Sequence, residues 1–211
     1  FAQFVAVNAG KVAQKPKSVD FIEAGALPLA GVSALQAIED HIRLKSGQKI
    51  LIHGGAGGIG HIAVQLAKAL GAYVATTVGT RNLEFAKSLG ADEAIDYKSE
   101  AFDEKLTDFD AVFDTVGGET TDKSFKVLKK GGIIVSMAGQ PNEELAQKSG
   151  VSALGQNTDA NPERLARLSK LVEDGKIKAY IDKVFSLEQA KEAFRHLEEG
   201  HPRGKVVFKI K

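Results

Sequence analysis

The sequence contains no cysteine and no tryptophan, and it has only one methionine among its 211 residues. Without cysteine the chain can form no disulfide framework and offers no thiolate for catalysis. A chain of this kind suits a reducing compartment. We therefore expect a cytoplasmic protein.

An excess of one charge is also missing, because 28 Lys and Arg residues stand against 27 Asp and Glu. Proteins that bind nucleic acid or membrane surfaces carry clustered positive charge. The densest basic stretch, DKSFKVLKK at 122–130, is typical of the solvated face of a helix. No uninterrupted apolar run reaches the ~18 residues that a membrane span needs. We predict neither a nucleic-acid partner nor a membrane partner.

From residue 49 onward, segments with the patterns of strands and helices alternate. Strands are predicted over 49–54, 72–78, 93–97, 109–116, 132–139 and 151–157, and helices over 61–71, 81–90, 120–131 and 161–175. The last helix has Asn161 as its expected N-cap and Pro162 at its first position. This alternation predicts an α/β fold with a doubly wound parallel sheet that is covered on both faces.

The two ends of the chain depart from this alternation. Residues 1–7, FAQFVAV, alternate like a half-buried strand from the first residue. A second strand is predicted over 205–210, and we expect the two to pair with each other or with sequence that is absent here. A chain that begins inside a strand is expected to lack something before Phe1.

A glycine motif stands between the first predicted strand of the α/β block and the helix that follows. Gly55, Gly57 and Gly60 form G-x-G-x-x-G. In this pattern the first glycine allows a tight turn, the second lets the backbone approach a pyrophosphate, and the third lets helix and strand pack closely. The phosphate then meets free N–H groups at the positive end of a helix. The motif predicts dinucleotide binding.

The same stretch also fits a second glycine pattern, that of the short-chain dehydrogenases, through Gly54, Gly58 and Gly60. Those enzymes carry a Tyr-x-x-x-Lys pair, but the residues four after the three tyrosines are Thr77, Ala101 and Val184. The pair is therefore missing. A P-loop is excluded too, because no Gly-Lys is followed by Ser or Thr.

The end of the second predicted strand indicates which dinucleotide binds. An acid about 20 residues past the glycines would hold the ribose 2′-hydroxyl of NAD. Gly79 lies 19 residues past Gly60, and TVGTRN around it contains no acid. Arg81 stands where a guanidinium could pair with a 2′-phosphate, although it could also be an ordinary exposed residue at a helix start. The pattern favours NADP(H).

At this point the chain resembles the medium-chain dehydrogenase/reductase superfamily, in its quinone oxidoreductase branch. The resemblance rests on LPLAGVSALQAI, GQKILIHGGAGGIGHIAVQLAKALGA, SLGADEAIDY, FDTVGG, GGIIVSMAG, LVEDGKI and RGKVVF, which occur in this order. It implies an NADP-binding Rossmann domain over 29–176. It also implies that 1–28 and 177–211 are remnants of a GroES-like catalytic domain whose first part is missing.

The resemblance implies a set of cofactor-binding residues. Those on the nicotinamide side would be Ser33, Val116, Gly117, Met137 and Ala138, and those of the glycine turn would be Gly55, Ala56, Gly57, Gly58, Ile59 and Gly60. Gly79, Thr80, Arg81 and Tyr97 would lie at the adenosine 2′-phosphate, and Lys205 would approach the cofactor from the last strand. Two alternatives stay open: Tyr97 could cap the core, and Lys205 could be solvated.

A zinc site is not expected. Alcohol dehydrogenases of this superfamily place a zinc-ligand Cys where this chain has Ala30, and the surrounding PLAGVSA contains no acid. His53 and His61 flank the glycine turn, where we expect them to cap the strand and the helix. His196 and His201 are interpreted as surface residues.

The resemblance implies a zinc-independent, NADPH-dependent reductase of quinones or other α,β-unsaturated carbonyls that works by hydride transfer. No general acid is identified in the chain. The alternatives are an enoyl-thioester reductase of the same superfamily and a non-catalytic, crystallin-like NADPH-binding protein. We further predict a homodimer, in which residues 151–157 pair across a two-fold axis.

Overall fold

The computed structural model describes residues 2–200 and 202–210. The strands are Lys49–His53 (β1), Tyr73–Val78 (β2), Glu93–Asp96 (β3), Phe109–Asp114 (β4), Leu128–Ser136 (β5), Ser152–Gly155 (β6), Ile181–Ser186 (β7) and Lys205–Lys209 (β8). The α-helices are Phe21–Ala26 (α1), Pro28–Leu35 (α2), Gly60–Ala69 (α3), Leu83–Ser88 (α4), Phe102–Lys105 (α5), Glu119–Ser124 (α6), Glu143–Ser149 (α7), Pro162–Glu173 (α8) and Ala190–Glu199 (α9). A π-helical segment, Gln36–Ile42, continues α2, and short 3₁₀ turns lie at Ala9–Lys11, Thr80–Asn82 and Leu187–Gln189.

Strands β1 to β6 form one parallel sheet in the order β3-β2-β1-β4-β5-β6. The order reverses beside β1, where Ile50 aligns with Val74 of β2 on one side and with Ala111 of β4 on the other. This is the order of doubly wound dinucleotide-binding sheets, in which ligands bind at the carboxyl edge next to the reversal. The predicted α/β fold is confirmed.

The burial of β1 shows that both faces of this sheet are covered. Successive side chains of a strand point to opposite faces, and every residue from Ile50 to His53 is buried. Ile50 and Ile52 pack in the larger core cluster with residues of α3, while Leu51 packs in the other with Phe102 of α5. A continuous apolar run therefore marks a strand between two layers of helices.

The predicted start of α8 is confirmed in detail. The Asn161 side chain accepts a hydrogen bond from the Arg164 backbone N–H at 2.9 Å, and Pro162 takes the first helical position. Proline suits that position because its missing N–H would have had no partner within the helix.

The ends of the chain form a different arrangement from the predicted one. Residues 2–7 form no strand, and Phe4 and Val5 are 86% and 82% exposed. The predicted strand over 1–7 is therefore wrong for this part, and Phe1 lies outside the described residues. The predicted strand near the C-terminus exists as β8, but it pairs in parallel with β7 rather than with the N-terminal segment. An alternating pattern forms a strand only where a partner edge is available.

The predicted helix over 120–131 is wrong beyond residue 124. Helix α6 ends at Ser124, and β5 begins at Leu128 rather than at 132 and ends at Ser136 rather than at 139. Leu128 is buried and aligns with Phe109 of β4. The two apolar residues of KVLKK are thus buried where β5 begins. This burial outweighs the local helical pattern.

Five α-helices of the described residues lie where the sequence patterns predict none, namely α1, α2, α5, α7 and α9. Helix α7 begins at a recognisable cap, because Asn142 accepts hydrogen bonds from the N–H groups of Glu144 and Leu145. No helix in the described ranges combines the length and the apolar character that crossing a membrane requires.

Candidate dinucleotide-binding site

The glycine turn between β1 and α3 is packed too tightly for side chains at two of its motif positions. A Cβ on Gly55 would lie 2.0 Å from the Thr76 hydroxyl oxygen, and a Cβ on Gly60 would lie 2.1 Å from the Gly54 carbonyl oxygen. A Cβ on Gly57 would lie 3.2 Å from that same carbonyl. The first and third glycines thus let the turn pack against β2 and let α3 pack against the turn.

The start of α3 presents a run of backbone N–H groups. The N–H groups of Gly58, Ile59 and Gly60 have no hydrogen-bond acceptor within the described part of the chain. Unpaired N–H groups at a helix N-terminus carry partial positive charge and bind phosphate oxygens. Three consecutive free donors at this edge of the sheet form a ready anion site.

Lys205 lies beside these donors. Its side-chain nitrogen is 3.3 Å from the point where a Cβ on Gly58 would lie. No acidic side chain pairs with this lysine within residues 2–200 and 202–210, and its half-buried position lowers its pKa. A bound anion would favour the charged form again. Lys205 is therefore not simply solvated.

A cleft of about 1190 Å³ opens at the carboxyl edge of the sheet, next to the reversal of strand order. It brings together ten of the predicted cofactor-binding residues: Ala56, Gly57, Gly58, Ile59, Gly79, Thr80, Arg81, Tyr97, Val116 and Lys205. These residues come from the ends of β1, β2, β3 and β4 and from the start of β8. The topology thus assembles at one edge residues that are far apart in the sequence.

The other six predicted residues do not line this cleft: Ser33, Gly55, Gly60, Gly117, Met137 and Ala138. Ser33 is buried, and its hydroxyl donates to the Leu29 carbonyl at 2.7 Å and lies 2.6 Å from the Thr158 hydroxyl. Gly117 and Ala138 adjoin each other, because a Cβ on Gly117 would lie 2.5 Å from that of Ala138. Their role toward a nicotinamide stays a prediction.

One end of the cleft lies at the 3₁₀ turn after β2. Gly79 precedes this turn, and a Cβ on it would lie 3.5 Å from the Tyr97 hydroxyl. Tyr97 is 51% exposed, so it does not cap the core. Arg81 lies on the exposed side of the turn and lines the cleft.

Asp96 is a residue of this region that the sequence patterns did not indicate. This buried carboxylate at the end of β3 accepts from the Thr80 hydroxyl at 2.5 Å and from the Lys98 backbone N–H at 3.0 Å. The hydrogen bond from Thr80 is the main cause that lowers the pKa of Asp96. The acid is absent from the end of β2 but present on the neighbouring strand, where it orders the turn rather than lining the cleft.

His53 is fully buried at the wall of the cleft and is hydrogen-bonded on both ring nitrogens. Ser124 gives its hydroxyl proton to the Thr120 carbonyl, so it accepts from His53 Nε2 at 2.9 Å. Nδ1 then accepts from the Thr77 hydroxyl, also at 2.9 Å. Burial lowers the pKa of His53 to about 4, against an opposing effect of Asp114. His53 is thus a neutral link between β1, β2 and α6.

His61 joins α3 to the segment before β7. Its Nδ1 donates to the Gly57 carbonyl at 2.8 Å, and its Nε2 accepts from the Tyr180 backbone N–H at 3.3 Å. Burial is the main cause that lowers the pKa of His61 to about 4. Both nitrogens are used by the fold, as expected for a histidine at a helix start.

The described residues contain no group of three or more His, Cys, Asp and Glu side chains that could hold a metal ion. Ala30, where the resemblance would place the zinc ligand of an alcohol dehydrogenase, is buried and lines the cleft. His196 lies near the surface and pairs with Asp182 at 2.6 Å. His201 lies outside the described residues.

Comparison with known proteins identifies the family of this chain. A family model described as "Zinc-binding dehydrogenase" matches residues 89–208, more than half of the chain. The chain belongs to this family. It is a member of the medium-chain dehydrogenase/reductase superfamily, in the branch of the quinone oxidoreductases and alkenal reductases.

Two curated relatives of this family match almost the whole chain. A 2-methylene-furan-3-one reductase of Solanum lycopersicum is 41% identical over 215 residues, which cover 98% of this chain and 52% of the relative. An Arabidopsis thaliana protein named NADPH-dependent alkenal/one oxidoreductase, chloroplastic, is 36% identical over 213 residues, with the same two shares. The chain therefore spans about half the length of these relatives.

Solved structures of the family share the fold. The quinone oxidoreductase of Coxiella burnetii superimposes with a TM-score of 0.87 at 42% identity, over 94% of this chain and 63% of that one. The Escherichia coli quinone oxidoreductase complexed with NADPH superimposes with a TM-score of 0.84 at 27% identity, over 96% and 69%. The predicted resemblance is confirmed.

Proposed function

We propose that the cleft binds NADPH, with the pyrophosphate on the free N–H groups of Gly58, Ile59 and Gly60. The observation that carries this proposal is the meeting of these donors with Lys205, a half-buried cation without an acidic partner in the described chain. An anion would satisfy both the N–H groups and the lysine. The relatives named NADPH-dependent or solved with NADPH support this assignment.

The preference for NADPH over NADH is assigned to the end of β2. Gly79 leaves no carboxylate to hold a ribose 2′-hydroxyl or to repel a 2′-phosphate. Asp96, at the end of the neighbouring strand, accepts a hydrogen bond from Thr80 and does not line the cleft. Arg81 lines the same end of the cleft, where its guanidinium would pair with a 2′-phosphate.

The reaction we propose is reduction of a quinone or another α,β-unsaturated carbonyl compound, without zinc. Bound NADPH supplies the hydride. The residues of this chain hold the dinucleotide at the carboxyl edge of the sheet, so their contribution is binding and orientation. Support comes from the names of the relatives, which include an alkenal/one oxidoreductase and quinone oxidoreductases. An enoyl-thioester reductase and a non-catalytic NADPH-binding protein remain the alternatives.

Three further assignments belong to this proposal. Residues 29–176 would be the nucleotide-binding domain, and 1–28 with 177–211 would belong to a second domain. Contacts of α1 with β7 and β8 favour this division. A homodimer through β6 and a cytoplasmic location also stay predictions, and the Arabidopsis relative is named as chloroplastic.

The test is a calorimetric titration of the 211-residue chain with NADPH and with NADH. Lys205→Met keeps the apolar stem and removes the charge. Because the pyrophosphate is common to both dinucleotides, we expect about tenfold weaker binding of each. Lys209→Met, on the exposed end of the same strand, is the matched control. Unchanged affinity in Lys205→Met would contradict the pyrophosphate assignment.

Measurements of turnover distinguish the three candidate functions. Loss of NADPH absorbance would be followed with a quinone, an enone and an enoyl thioester in turn. Reduction of the quinone or the enone supports the proposal, and faster reduction of the thioester favours the first alternative. NADPH binding with no oxidation of NADPH by any acceptor favours the second.

A further inference from the structure

The segment Arg203-Gly204-Lys205 is attached to the glycine turn, and its last residue lines the cleft. The Gly204 backbone N–H donates to the Ala56 carbonyl at 2.9 Å. Lys205 follows directly, with its side chain beside Gly58. The position of this segment is therefore tied to the turn that we assign to the pyrophosphate.

The side chain of Arg203 contacts the 80–82 turn, which lies at the other end of the cleft. Its Nη2 donates to the Arg81 carbonyl at 2.6 Å, and its Nε donates to the Asn82 side-chain oxygen at 2.9 Å. Its guanidinium carbon lies 5.6 Å from the centre of the Phe85 ring. The guanidinium of Arg203 thus uses two donors to hold the turn, one on the Arg81 backbone and one on the buried Asn82 side chain.

The base of Arg203 is fixed as well. Its backbone N–H donates to Asp182 Oδ1 at 3.0 Å, while Oδ2 of the same carboxylate pairs with His196 at 2.6 Å. Gly204 has a φ of +73°, and a Cβ there would lie 2.2 Å from the Tyr180 carbonyl oxygen. The backbone that aims Arg203 at the turn is therefore tightly constrained.

We propose that Arg203 is a positioning residue that sets the preference of the cleft for a 2′-phosphorylated dinucleotide. Arg203 does not line the cleft. It acts through the 80–82 turn, which it holds so that Arg81 faces the 2′-phosphate end. An exposed loop side chain loses much conformational freedom when it binds a ligand. If the turn is already held in place, Arg81 loses less freedom, and its ion pair with the phosphate contributes more to affinity. The inference rests on the proposed binding of NADPH.

The test measures dissociation constants for NADPH and NADH in three arginine variants of the 211-residue chain. Arg203→Ala should weaken NADPH about fivefold and NADH less than about twofold. Arg203→Lys keeps the charge but not the two-armed guanidinium, and it should lose most of the same preference. Arg195→Ala, on the exposed face of α9, is the matched control and should leave both constants unchanged.

A double-mutant cycle shows whether Arg203 acts through Arg81. In an Arg81→Ala background, adding Arg203→Ala should change the NADPH constant by less than about twofold. Equal weakening of NADPH and NADH, additive effects in the cycle, or a wild-type preference in Arg203→Lys would each overturn the role of Arg203. Failure of the folded wild-type chain to bind NADPH would overturn the proposed function as well, which separates the two results.

Discussion

In the 54–60 turn, neighbouring protein atoms leave no room for a side chain at some glycines, whereas other glycines face the cleft. Gly55 and Gly60 would each place a Cβ within about 2 Å of neighbouring atoms, Thr76 in one case and the Gly54 backbone in the other. The nearest neighbour of Gly58 is instead the flexible side chain of Lys205, at 3.2 Å. We therefore expect substitution at Gly55 or Gly60 to disturb folding of the turn, and substitution at Gly58 to narrow the proposed anion site.

Cofactor preference can be tested at Gly79 and Arg81. Gly79→Asp is sterically allowed, since φ is −77° and its Cβ would make an ordinary contact with Tyr97 at 3.5 Å. We expect the new carboxylate to favour NADH, and we expect Arg81→Ala to weaken NADPH alone by roughly tenfold. Titration of both variants with both dinucleotides measures these effects.

Gly79→Ala is the control, because it adds the same Cβ without the charge. It should leave the ratio of the two affinities unchanged. Equal affinity of the unmutated chain for NADPH and NADH would count against the assigned role of this turn.

The two buried histidines predict a loss of stability in weak acid. Both have a pKa of about 4 in the folded state, below the usual 6.5. As pH falls from 6.5 toward 4, the unfolded chain takes up protons that the folded chain does not. Each histidine should therefore lower the free energy of unfolding by about 2 kcal/mol between pH 7 and pH 5. Urea unfolding at the two pH values measures the difference.

His61→Gln removes one of these two titrating groups. The difference between pH 7 and pH 5 should shrink by about 2 kcal/mol in this variant. His41→Gln, at a half-buried position on the π-helical segment, is the matched control for the loss of a histidine. A His61→Gln protein with the pH dependence of the wild type would contradict the prediction.

At the scale of elements, the sequence predicts what depends on local pattern and misses what depends on a distant partner. The strand–glycine–helix unit and the Asn161 cap are local, and both are found as predicted. Whether residues 2–7 form a strand, and where β5 begins, depends on which sheet edge is available for pairing. The local patterns of these segments therefore predict the wrong structure. The sequence patterns do not indicate Asp96, because the usual position of the acid is on β2. The contact of Asp96 with Thr80 forms only when β2 and β3 lie side by side.

The outer edge of β6 is partly covered by one side chain. Gln140 accepts from the Gly155 N–H at 2.8 Å and donates to the Ala153 carbonyl at 3.4 Å. The Gln156 N–H, by contrast, donates inward to Ser136 of β5. Gln140 thus makes the contacts that a neighbouring strand would make, which protects an exposed sheet edge. The predicted homodimer through β6 requires Gln140 to move away.

Gln140→Ala should therefore strengthen dimerisation, since it frees an N–H and a carbonyl on the edge of β6. We expect the dimer dissociation constant to fall about threefold, the size of effect of one exposed hydrogen bond. Sedimentation equilibrium at micromolar concentration measures it. Gln147→Ala, at an exposed position on α7, is the control. A wild-type chain and a Gln140→Ala variant that are both monomeric would contradict the predicted dimer.

At the scale of the whole molecule, binding and turnover are expected to depend on different parts. The donors assigned to the pyrophosphate and the 2′-phosphate come from the six-stranded sheet, its turns and the start of β8. The core of this sheet is covered by helices on both faces. About half of each curated relative, however, has no counterpart in the 211 residues.

The 211-residue chain should therefore bind NADPH but reduce quinones far more slowly than a relative of full length, such as the Coxiella burnetii quinone oxidoreductase. Orientation of two reactants contributes ~7–11 kcal/mol in well-positioned reactions, and it requires a wall that holds the acceptor against the dinucleotide. Calorimetry measures binding, and loss of NADPH absorbance with added quinone measures turnover. A rate equal to that of the full-length relative would show that these residues already contain the catalytic surface, and a folded chain without NADPH affinity would refute the assignment of the glycine turn.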